Sequence, residues 1–203
     1  MKKLLLLLLL SLAFIGSANA NSIKGAFGYK LGTVMKDVPT TYYKFTSYGT
    51  DFYNFSSSKK FIPKKPLPSL ENYIVRTTFT DKKIHTIAGS TTKKYSNNRR
   101  TCIGDLDRIL SLLRARYGKF TKDYKFTNRN NGYDSNGDFW SIWNERYIYQ
   151  DKTRKIILSC ESDSRDSNYL SLKYTDDNLR SRAWDESDSL EKQKIIAESD
   201  YDL

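Results

Sequence analysis

The chain has only two cysteines, Cys102 and Cys160, and their fate limits what it can fold into. Two distant thiols make a poor zinc site, because zinc takes four ligands and nearby partners are missing. The remaining choices are a disulfide, formed where thiols oxidise, or two buried free thiols. A bridge would close a loop of about 60 residues, for which the chain-entropy account gives roughly 4 kcal/mol. That matches the whole stability of a marginal domain. The spacing is far from C-x-x-C, so the bridge is expected to be structural and not redox-active.

The N-terminus argues for the oxidising choice. Met1-Lys2-Lys3 is a short positive head, and Leu4 to Ile15 is apolar apart from Ser11. Ala18 and Ala20 then supply the small residues a signal peptidase needs. The apolar run is about twelve residues, short of the roughly 20 that span a bilayer. Residues 1–20 therefore read as a cleavable signal peptide, with Asn21 the expected mature start. The mature protein is expected in the periplasm or outside the cell, not spanning the membrane.

Charge is unevenly spread. Residues 21–100 hold 15 Lys and Arg against 4 Asp and Glu, whereas residues 161–203 hold 6 against 12. The full chain carries a formal +11. A basic balance can signal an anionic partner such as an envelope polymer or lipid headgroups. It can also follow from a composition rich in Lys, Asn, Tyr, Ser and Ile together, the bias of low-GC coding.

Patterning predicts one α+β domain: an antiparallel sheet built from hairpins, a helix packed on one face, and a C-terminal helix. Residues 21–72 form an N-terminal strand and loop segment, 73–175 the α+β core, and 176–203 the last helix with an acidic tail. Glycine, threonine and aromatics between residues 23 and 56 suggest short strands. The prolines of Phe61 to Pro68 predict an extended surface connection. Tyr73–Phe79 and Ile84–Ala88 predict a hairpin with Asp81-Lys82 at its tip. Cys102 precedes a helix with Ile103, Leu106, Leu110, Leu113 and Tyr117 at helical spacing, widened by Ile109 and Leu112 and closed by Gly118. A second hairpin spans Phe139–Tyr149 and Lys155–Cys160, followed by a strand at Tyr169–Tyr174. Asp176 or Asp177 would cap the final helix, from about 177 to 198. Hairpin then helix thus occurs twice, although the residues match too poorly to claim duplication.

No motif carries catalysis. His85 is the only histidine, sits on a predicted strand, and has no glycine-framed serine to serve. Asp134, Asn136 and Asp138 with Glu145 imitate a calcium loop, but Phe139 stands where that loop needs glycine. The segment reads as a polar turn, and no metal or cofactor is expected. Asp105/Asp107, Asp176/Asp177 and Asp185/Glu186 offer paired carboxylates, which a glycosidase would need facing each other across a cleft. Their positions suit helix starts and solvent instead. Lys93, Lys94, Tyr95, Arg99 and Arg100 form a candidate anionic-ligand surface of cations around a ring. Such mixtures bind single strands, but export argues against nucleic acid. Asn54-Phe55-Ser56 is a glycosylation sequon, relevant only in a eukaryotic source.

Four pieces together resemble small, uncharacterised proteins of the Gram-negative envelope. They are Phe27-Gly28-x-x-Leu31-Gly32, the first hairpin, Cys102 ahead of the helix ending Tyr117-Gly118, and Leu170-x-Leu172-x-Tyr174-x-Asp176-x-x-Leu179. The resemblance implies an envelope setting and brings no activity. The leading expectation is a non-enzymatic, exported binding module with an envelope protein or anionic polymer as partner. A carboxylate-dependent hydrolase and an electrostatic binder of anionic polymers or lipid headgroups are the alternatives.

Overall fold

The computed structural model describes residues 22–47, 50–91, 99–126, 129–133, 139–162 and 168–199. The signal peptide reading, the calcium-like Asp134–Asp138 turn and Lys93, Lys94 and Tyr95 lie outside them. The protein is α+β. A small hairpin joins β1 (Gly25–Ala26) to β2 (Tyr29–Lys30). The main sheet contains β3 (Thr40–Ser47), β4 (Thr50–Phe61), β5 (Asn72–Thr77) and β6 (Ile84–Ser90). After helix α1 (Arg99–Tyr117) come β7 (Thr121–Lys122), β8 (Arg129–Tyr133) and β9 (Phe139–Asp151). β10 (Arg154–Ser162), β11 (Asn168–Asp176) and helix α2 (Asp177–Ser199) complete the chain.

The strand order is β3-β4-β5-β6-β11-β10-β9-β7, with β8 also on β9, and every pairing is antiparallel. Two meanders, β3–β6 and β8–β11, therefore meet along their last strands, where Ile87 opposes Tyr174. Alternation along β11 turns Leu170, Leu172 and Tyr174 inward. They join Val75 and Ile87 of the first meander and Ile156 and Leu158 of the second in one core.

α1 covers that core. Leu106, Leu110 and Tyr117 are buried at helical spacing, and Cys102 is bridged to Cys160 of β10 with Cα atoms 6.2 Å apart. The spacing lies inside the range disulfides adopt. The helix stops at Gly118, whose φ of 94° turns its N–H onto the Arg114 carbonyl at 2.9 Å. α2 is capped by Asp176, whose carboxylate accepts the Leu179 N–H at 3.3 Å. It runs past the β5–β6 tip, where Glu186 accepts the Thr80 N–H at 3.2 Å, towards β3, where Lys44 meets Glu198 at 3.4 Å.

Differences from the sequence expectations are local. β4 extends through Ser56–Lys60, a polar run that alternation did not mark, because Ser58 to Phe61 pair with β5. β7 and β8 are strands only by virtue of their pairing with β9.

Candidate functional site

The first turn of the described chain is under conformational constraint. Phe27 and Gly28 link β1 to β2 with φ of 55° and 94°, a turn with both central residues left-handed. A side chain at Gly25 would meet the Tyr29 carbonyl oxygen at 2.1 Å, so this hairpin requires glycine there. Phenylalanine at positive φ is uncommon and costs about 1 kcal/mol or more. The ring explains why it is tolerated: it packs edge-on against Tyr73 at 4.9 Å and Tyr174 at 6.2 Å.

That ring forms one side of a cleft of about 850 Å³. Phe27 and Tyr29 face it from the turn, and Ile109, Leu112 and Leu113 from α1. Leu172 and Tyr174 of β11 lie innermost, both buried. The Phe61–Pro68 connection supplies Ile62, Pro63 and Leu67, so this segment is a wall of the cleft and not only a spacer. It is fastened there by Tyr73, whose hydroxyl accepts the Leu67 N–H at 2.9 Å and donates to the Leu70 carbonyl at 3.1 Å.

Two apolar side chains stay uncovered at the cleft: Ile62 is 95% exposed and Leu112 60%. Lys64, Lys65 and Arg116 bound it, each exposed. Among the described residues, the lining includes no Asp, Glu, His, Ser, Thr or Cys. Tyr29 and Tyr174 bring hydroxyl groups to its lining residues, and the pKa of Tyr174 is pushed up by burial and then by neighbouring Tyr117. The Tyr174 hydroxyl therefore stays protonated and can donate or accept a hydrogen bond. Ligand pockets commonly measure roughly 300–1,000 Å³ and combine apolar walls with a few polar groups, and this cleft has that chemistry.

The residues singled out from sequence fall elsewhere. Cys102 and Cys160 are the disulfide. Arg100 is exposed in the first turn of α1, and the Arg99 side chain lies outside the described residues. Arg100 stands about 24 Å along the helix axis from Arg116 at the cleft. Asp105 is paired with Arg108, Asp176 with Arg154 and Asp177 with Lys155. Glu186 binds Arg182 and backbone N–H groups. Glu145 accepts from Lys122 and Tyr147, both at 2.9 Å. Among the described residues, no three His, Cys, Asp or Glu side chains converge as a metal set. No described helix is long and apolar enough to cross a membrane.

His85 is the residue at which β6 slips register: Arg76 opposes Thr86 while Thr77 opposes Ile84. Its Nδ1 lies 2.9 Å from the Thr86 hydroxyl. Burial lowers its pKa to about 4, assisted by Arg76 and Arg180, so it is neutral near pH 7.

Sequence reasoning missed the cleft because its walls come from four separate stretches. Two weak signals were present: Leu112 widens the apolar stripe of α1, and Phe61-Ile62 is a short apolar pair between lysines and prolines. No family model matches the chain, and no curated protein is a significant match to it.

Proposed function

We propose that this is an exported, non-enzymatic binding module that takes an apolar ligand with an anionic end into the cleft beside α1. The observation that carries the reading is an apolar cleft with cations at its boundary and, among the described residues, no acid, histidine, serine or threonine in its lining. Exposed Ile62 and Leu112 are the kind of uncovered apolar surface that marks a binding site. Export to the periplasm or beyond is supported by the leader-like residues 1–20 and by a disulfide of the kind oxidising compartments allow. A carboxylate-dependent hydrolase has less support, since Asp105, Asp176, Asp177 and Glu186 already have cationic partners.

The test is displacement of a fluorescent fatty acid from the purified, oxidised protein. A long-chain carboxylate should displace it about tenfold better than the matching alcohol, the worth of one charge-assisted hydrogen bond. Leu112→Asp should abolish binding. Absence of probe binding, or binding that Leu112→Asp leaves intact, would sink the reading.

A further inference from the structure

The sheet face turned away from α1 carries cations that the cleft does not use. Leu172 and Tyr174 face the core, so Lys173 between them projects to the reverse side. On β5, Val75 is buried and Arg76 points to that same reverse side, exposed. Arg76 opposes Thr86, Thr86 opposes Thr175, and Thr175 is two residues from Lys173. Strand spacing and rise then put the Arg76 and Lys173 Cα atoms about 12 Å apart, a gap two long side chains can close around a small ion. Arg180 joins them from the first turn of α2, and both arginines act electrostatically on Lys173 and on His85.

Glu161 acts on Lys173 against Arg76 and Arg180, but the nearby carboxylates are each held by another cation. Asp176 is taken by Arg154, Glu186 by Arg182 and Glu161 by Arg146. Among the described residues, Arg76 and Lys173 have no carboxylate within ion-pair distance. Lys173 is also half-buried, and burial first, then Arg76, lowers its pKa. Like charges held close to one another, one of them half-buried, are relieved by an anion placed between them. Trp184 lies beside Arg180, with the guanidinium 5.2 Å from its ring centre, and is 65% exposed.

We propose that Arg76, Lys173 and Arg180 form a phosphate site on the reverse face of the sheet, separate from the apolar cleft. Three cations with no ion-paired carboxylate among the described residues favour a dianion over a single carboxylate, and guanidinium groups match its oxygens in pairs. Trp184 offers a flat apolar surface for whatever carries the phosphate, such as a sugar ring.

The test is calorimetric and thermal titration of the oxidised protein with inorganic phosphate and with a sugar phosphate. Acetate and chloride at matched ionic strength are the controls. Saturable phosphate binding should weaken about tenfold in Arg76→Gln and again in Lys173→Gln. Far-UV circular dichroism and a urea midpoint matching wild type check that both variants are native. Tighter binding of the sugar phosphate, lost in Trp184→Ala, would identify an ester as the ligand. Equal binding of both probes would identify the phosphate ion itself. A response no larger than that to chloride, or one retained in the double variant, would overturn the site. Because the cleft probe is read separately, loss of the phosphate site leaves the cleft reading standing, and the reverse.

Discussion

Phe27 and His85 show how single residues carry opposed demands. At Phe27 the ring contributes wall and packing while the backbone resists a φ of 55°. Phe27→Ala loses the ring contacts and keeps the strain, at a cost of about 2 kcal/mol for a half-buried phenylalanine. Phe27→Gly loses the same ring but relieves the backbone. It should therefore be about 1 kcal/mol more stable than Phe27→Ala, although glycine is ordinarily the worse choice. Urea midpoints of the two variants decide this, and alanine proving the more stable would refute the strain. His85 predicts a pH dependence. Its folded value is about 4, set by burial, then Arg76 and Arg180, and opposed by Asp176 and Glu186. The unfolded chain, with a value of roughly 6.5, takes up the proton first as pH falls. Its contribution is thus complete above about pH 6.5 and disappears towards pH 4, about 3 kcal/mol in all. Asp81, held down to about 2 by its Thr78 hydrogen bond and the Lys83 and Arg182 cations, stays ionised throughout that window. Comparing wild type with His85→Gln at pH 7 and pH 4.5 should show a flatter dependence in the variant. Equal slopes would mean that His85 is not the group responsible.

Between elements, the disulfide is the strongest tie that the chain order does not itself provide. It fixes the first turn of α1 to β10 across a separation of 58 residues. Removing it with Cys102→Ala and Cys160→Ala together should cost about 4 kcal/mol on the chain-entropy account. The measurement is the urea midpoint against oxidised wild type. A loss below about 1 kcal/mol would show that core packing alone holds the helix in place. This tie was legible in the sequence, because both partners stood at recognisable places: Cys102 before a periodic apolar run and Cys160 at the end of a β-branched one. The two hairpins and α1 were legible for the same reason, since each repeats its apolar residues at its own period, whereas the mostly polar α2 was legible only from its acidic cap. β7, with two residues, and β8, Arg129–Tyr133, carry no such period. They owe their conformation to hydrogen bonds offered by β9, which lies at a distance in sequence.

At the scale of the whole molecule, the repeated order of strands then helix becomes an interlocked arrangement. α1 follows the first meander yet is bridged to β10 of the second. α2 follows the second meander yet binds the β5–β6 tip and β3 of the first. Sequence could not show this exchange, because nothing in β6 or β11 alone says that they pair. The cleft was hidden by the same exchange, since Phe27, Ile62, Leu112 and Tyr174 become neighbours only once both meanders are joined. Neither half can bury its core residues by itself: Val75 and Ile87 pack in one cluster with Ile156, Leu158 and Leu172. Unfolding should therefore be a single cooperative event, with far-UV circular dichroism and tryptophan fluorescence giving coincident urea transitions. Leu172→Ala, at the seam and fully buried, should lower both midpoints together by the equivalent of about 2–5 kcal/mol. Two separated transitions, or a shift in one probe alone, would mean that the meanders are independent units. A cleft built from both would then have to open whenever either one unfolded.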